Sequence, residues 1–94
     1  MEHKFKVGDL VTVVQGESVW YTYLDGLRKQ FLGKTGRIVK CDSLTFTKED
    51  VQWYKQPEDK AGLTVYDYFV VFPIAPERRI CISEVHLELF KLER

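Results

Sequence analysis

Two cysteines in 94 residues, Cys41 and Cys81, are too few to frame a disulfide-stapled fold. Neither belongs to a Cys-x-x-Cys pair, and the two histidines, His3 and His86, have no His-x-x-x-His spacing, so no metal site is expected. No apolar run approaches the about 18 residues of a membrane span, and no signal peptide is visible. The expectation is therefore a cytoplasmic protein with reduced, buried thiols. An excess of charge of either sign is also missing: 14 Lys and Arg stand against 14 Asp and Glu. That argues against a general polyanion binder, which carries a clear positive surplus. No repeat or low-complexity stretch interrupts the chain.

What remains is ordinary globular material for one domain spanning 1–94. The apolar fraction is 45%, and six Phe, five Tyr and two Trp can bury a large area. The charge is uneven, however. Residues 1–40 hold seven basic and four acidic residues, net +3, and the remainder holds seven basic and ten acidic, net −3.

Extended segments dominate the pattern. Phe5 to Val14 is rich in β-branched residues, with a turn or bulge at Gly8-Asp9 and with Val11 and Val13 on one face. Gly33-Lys34-Thr35-Gly36 predicts a tight turn into Arg37–Cys41. Tyr66–Phe72 follows, stopped by Pro73 and Pro76, and then Arg78–Ile82. Ser83–His86 predicts one helical turn capped by Ser83, with His86 at the surface or the rim. Leu87–Leu92 alternates as a fifth strand. Two long connections remain. Residues 15–32 carry Trp20, Tyr23, Leu24, Leu27 and Phe31 at helical spacing, with Gly26 against a helix. Residues 42–65 include a helical stretch at Lys48–Lys55 and an exposed turn at Gln56–Gly62.

The order Val7-Gly8-Asp9, Gly33-Lys34-Thr35-Gly36-Arg37-Ile38-Val39, Tyr68-x-Val70-x-Phe72 and Ser83-Glu84-x-x-Leu87-Glu88-Leu89 resembles the Src-homology-3-like (SH3-like) barrels. Similar modules are the barrel of the nitrile hydratase β subunit, the KOW modules, and many small stand-alone bacterial and phage proteins. The resemblance implies an all-β fold: a closed barrel of five bent antiparallel strands with a long first loop. Residues 42–65 fall outside it and read as a partly helical insertion. It implies no activity, because the matching residues are turn glycines and core apolars. Among phage proteins of this kind, modulation of a host protein is one role it suggests.

No catalytic constellation stands out. Ser83, Glu84 and His86 are adjacent on one turn, which does not make a triad converge. Gly33–Gly36 lacks the spacing of a phosphate loop. No cofactor and no small-molecule substrate are expected, and the chain reads as a non-enzymatic binding module.

The pattern points instead to contacts with another protein. Phe69 and Val71 make the outward face of their strand apolar, as do Cys81 on the next strand and Phe90 on the last. Burying even two such side chains is worth about 3–6 kcal/mol, so the face requires a cover. The chain's own insertion through Val51, Trp53 and Tyr54, or the segment with Trp20 and Phe31, is one cover. A second copy is another, and a different protein the third. Trp20, Tyr21 and Tyr23 on the first loop are candidate walls of a peptide groove, or alternatively a plug for the barrel end. The partner-binding candidates are thus Trp20, Tyr21, Tyr23, Phe69, Val71 and Phe90. The alternative is a KOW-like nucleic-acid surface built from Arg28, Lys29, Lys34, Arg37 and Lys40, with Phe31 interleaved for base stacking.

Overall fold

The computed structural model describes residues 3–15, 26–53, 55–56 and 58–91. Five strands form one antiparallel sheet: β1 (Leu10–Val13), β2 (Thr35–Thr45), β3 (Thr64–Phe72), β4 (Ala75–Ser83) and β5 (Leu87–Leu89). Their order is β4-β3-β2-β1-β5. The all-β class is therefore observed. The ladder itself is open, because β4 and β5 stand at its two ends and each pairs with a single neighbour. Two short helices, α1 (Gly26–Lys29) and α2 (Lys48–Trp53), lie in the two long connections. None of the described helices is long and apolar enough to cross a membrane.

The expected alternation places the core. Val11 and Val13 of β1, Ile38 of β2, Tyr68, Val70 and Phe72 of β3, and Ile80 and Ile82 of β4 are all buried on one face of the sheet. Phe31 inserts from the first connection and stacks on Phe72, with ring centroids 4.4 Å apart. Such a pair adds about 0.5–1.5 kcal/mol beyond its area. The same connection touches both β4 and β1. The Arg28 Nε donates to the Cys81 carbonyl on β4, and Leu32 forms a parallel bridge with Val13 at the end of β1.

Strand lengths depart from the sequence expectation at several ends. β2 continues to Thr45 and β3 begins at Thr64, so part of the expected insertion is a two-stranded ribbon. Pro76 lies inside β4 rather than stopping β3. It is tolerated because β4 is an edge strand, where a missing N–H costs no ladder bond; Pro73 and Ile74 alone make the hairpin. β5 ends at Leu89, three residues early.

Gly33 has a φ of +81° in the turn before β2, a backbone state that glycine enters without penalty. Gly36 serves a different need. A Cβ there would lie 2.6 Å from Val70 Cγ1 and 2.7 Å from the Val71 carbonyl oxygen, so β2 and β3 meet only because the side chain is absent.

The Glu84–His86 turn corrects two expectations. Ser83 occupies the N-cap position, yet its side chain makes no capping bond. His86 is buried, not at the surface, because the turn folds inward to connect β4 to β5. The turn's functional group is Glu84. Its Oε2 accepts the Tyr68 hydroxyl at 2.5 Å and the Lys4 N–H at 2.9 Å. The same hydroxyl accepts the Phe5 N–H at 3.1 Å. A fully buried phenol thus pins the N-terminal segment to the sheet. Burial first, and the Glu84 bond second, push the Tyr68 pKa up, so the phenol stays a proton donor.

The ribbon carries a second, smaller core of Phe46, Val51 and Val65. α2 has only six residues, too few to hold alone, but both of its ends are capped. Thr47 and Asp50 bond reciprocally, Thr47 N–H to Asp50 Oδ2 at 2.9 Å and Asp50 N–H to Thr47 Oγ1 at 3.1 Å. At the other end Gln56 N–H reaches the Val51 carbonyl and Lys55 N–H the Gln52 carbonyl. That is the paired closure of a Schellman motif, with Lys55 at φ 56° in the place usually taken by glycine.

Candidate partner-binding face

The outward face of β3 presents Val65, Asp67, Phe69 and Val71, two residues apart along the strand. Among the described residues the insertion covers only the first of these, where Val51 packs on Val65. Trp53, expected to join that cover, is instead 81% exposed. The helix turns Val51 inward and Trp53, two positions on, outward. Tyr54 and Trp20 lie outside the described residues. Phe31 points into the main core and covers nothing on the outer face.

Phe69 and Val71 are left half-buried. Lys40, opposite Phe69 in the register, carries its ammonium 5.6 Å from the ring centroid. Next to Val71 opens a groove of about 510 Å³ lined by Leu10, Thr35, Gly36, Arg37, Val39, Val71, Phe72, Pro73 and Pro76. A bulge between Ile38 and Lys40 sets Val39 out of register with β3, which widens this floor. Among the described lining residues Arg37 is the one charged side chain, and its guanidinium is only loosely held, 3.4 Å from the Gly8 carbonyl.

Phe90 does not extend this face. Three apolar strands that follow one another in sequence are not neighbours here, because β5 pairs with β1 at the far end of the order from β4. Phe90, 40% exposed, borders a separate groove with Lys4, Thr12, Leu89 and Lys91. Trp20, Tyr21 and Tyr23 lie outside the described residues.

The basic set is dispersed in role. Arg28 is half-buried and engaged at Cys81, Lys40 lies along Phe69, and Arg37 is in the apolar groove. Lys29 and Lys34 are exposed. Phe31 is buried and has no face free for a base.

Asp42 of β2 and Asp67 of β3 stand directly opposite each other. Burial, then the Asp42 charge, raise the Asp67 pKa against the lowering effect of Arg28. Burial is also the main cause that pushes the Cys81 and Cys41 thiols up, which keeps both protonated and unreactive at neutral pH. Among the described residues, no three His, Cys, Asp or Glu side chains converge to hold a metal ion.

Sequence reasoning had the outward Phe69 and Val71 but not the groove. Val39 joins it through a bulge and the two prolines through a hairpin, neither of which leaves a periodic signal. No protein-family model and no curated protein matches the chain. Among solved structures, thiocyanate hydrolase from Thiobacillus thioparus, a recombinant apo-enzyme, superposes with a TM-score of 0.61 at 24% identity. The match covers 95% of this chain and 78% of the other. At that identity the likeness establishes a shared fold.

Proposed function

We propose that this chain is a non-catalytic binding module of the SH3-like type, acting on another protein chain through the outer face of β2 and β3. The observation that carries the reading is the uneven cover of that face. Among the described residues the insertion packs on Val65 and on no other outward residue of β3, so Phe69 and Val71 are half-buried and the Leu10–Val39 groove is open to solvent. An apolar surface in that position marks a contact site. The likeness to a chain of thiocyanate hydrolase supplies the fold of such a module and no more.

Nucleic-acid binding is the weaker reading. Phosphate contacts need several free cations on one surface, whereas Arg28 and Lys40 are engaged within the chain and Phe31 is buried. The test is a pair of substitutions, Phe69→Asp and Val71→Asp. Both are expected to fold, because the side chains are half-buried, and to change the mass in solution or abolish retention of a bound protein. An unchanged mass with unchanged associations refutes the reading. Salt-sensitive retention on heparin, lost in the Lys34→Glu, Arg37→Glu double variant, would favour nucleic acid instead.

A further inference from the structure

The two most exposed large hydrophobic residues among those described stand beyond opposite ends of β3. Trp53, 81% exposed, is on the α2 lobe, and Ile74, 74% exposed, is in the β3–β4 turn beside the groove. Trp53 does not lack a firm support. α2 is capped at both ends and stapled by Val51 to Phe46 and Val65, and Lys55 takes a left-handed backbone to close it. A side chain as large as indole is thereby presented to water on a fixed helix, the usual form of an interface anchor.

The chain cannot satisfy Trp53 with its own groove. The lobe sits on Val65 and the groove begins at Val71; six residues of strand separate them by about 20 Å. Yet Val65 and Val71 share one face of β3, so lobe and groove look the same way. A two-fold axis near Asp67 and Phe69 exchanges the two ends. Two copies running antiparallel then each meet a groove with a lobe, and one isologous contact serves both.

The chemistry of the two ends is complementary. The groove is apolar through Leu10, Val39, Val71, Pro73 and Pro76 and carries Arg37, with Lys40 beside it. Its volume of about 510 Å³ exceeds what an indole needs. The α2 helix is acidic, with Glu49 and Asp50 in its first turn. Glu49 lies one turn before Trp53 and so on the same side of the helix. Among the described residues neither Glu49 nor Arg37 has an ion-pair partner. With the indole in the groove, the Arg37 guanidinium can lie on its face and meet Glu49 at its edge.

We propose that the occupant of the groove is a second copy of this chain, with Trp53 seated between Arg37, Val71 and the two prolines in a two-fold dimer. This rests on the outer face being the binding surface and names its partner. Sedimentation velocity of the full chain across the micromolar range tests it. The wild type is expected to move from monomer to twice the chain mass. Trp53→Ala and Val71→Asp should each weaken association by about tenfold or more while the far-UV spectrum and cooperative melt stay unchanged. Arg37→Glu and Glu49→Arg should each weaken it, and the double variant should recover most of the loss. A wild type that stays monomeric overturns the dimer. So does a dimer that survives Trp53→Ala, or one lost with Trp53→Ala but not with Val71→Asp. The broader reading of the face falls separately, only if Phe69→Asp and Val71→Asp leave every association unaltered.

Discussion

Replacing Gly36 by alanine tests how tightly the two central strands are packed. The added Cβ would lie 2.6 Å from Val70 Cγ1, 2.7 Å from the Val71 carbonyl oxygen and 2.9 Å from Phe72 Cδ1. Two of these neighbours are side chains in the buried core, and the third is backbone in the β2–β3 ladder. None is the free end of a flexible chain, so the strands themselves must separate. Overpacking of this kind costs about 1–3 kcal/mol, and the backbone contact places this site at the upper end. For a domain of this size each kcal/mol lowers Tm by about 4–8 °C, so a drop of about 10–20 °C is expected. Gly33→Ala is the control. Nothing lies within 4 Å of its Cβ, and only the φ of +81° opposes alanine, a penalty of about 1–2 kcal/mol. Urea melts followed by far-UV circular dichroism should give the same slope for both variants with a lower midpoint for Gly36→Ala. If Gly36→Ala proves as stable as Gly33→Ala, the close approach of β2 to β3 is not real, and the groove that Gly36 helps to line loses its floor.

Much of the fold was legible because one face of β1, β3 and β4 is apolar at a period of two. Val11 and Val13, then Tyr68, Val70 and Phe72, then Ile80 and Ile82, all turned inward as alternation requires. What alternation does not encode is which strand lies beside which. Cys81 and Phe90 follow each other in sequence on outward positions, but β5 crosses to pair with β1 and carries Phe90 away. Burial of His86 was equally hidden, since a turn that folds inward has no periodic mark. The lobe was half legible. Lys48–Lys55 read as helical, but which of Val51 and Trp53 faces inward depends on the ribbon to which the helix is fastened. Thr47-x-x-Asp50 was the available signal for its start, and it fixes the helical phase that turns Val51 to Val65.

The division of the outer face has a structural origin. Phe46 and Val51 reach Val65 because β2 and β3 run on beyond the main core as a ribbon, which carries α2 away from that core. The molecule is consequently elongated, 45 Å by 28 Å by 25 Å. A shorter ribbon would drop α2 onto Phe69 and close the surface. Its length keeps lobe and groove apart, and that separation is what leaves both open to a partner.

Three further substitutions probe the polar framework. Tyr68→Phe removes the acceptor of the Phe5 N–H and the donor to Glu84 together; a loss of about 1–3 kcal/mol in chemical denaturation is expected, and hydrogen exchange at the Phe5 amide should rise, whereas unaltered exchange would refute the staple. Lys55→Gly relieves the left-handed backbone at the end of α2 and should raise stability by about 0.5–1 kcal/mol; a loss of stability would show that the Schellman closure is misassigned. Asp67→Asn tests the opposed carboxylates. The folded Asp67 pKa is raised, by burial first and by Asp42 second. A carboxyl raised on folding favours the folded state while it is protonated, below its unfolded pKa of about 3.9. That contribution is lost as pH climbs through the folded value, so at neutral pH the ionised group opposes folding. The Asp67→Asn substitution should therefore raise Tm at pH 7, even with the Arg28 attraction forgone, and the gain should shrink to nothing as the wild-type carboxyl is protonated in acid. A variant less stable than wild type at pH 7 would mean that Arg28, not Asp42, dominates the site.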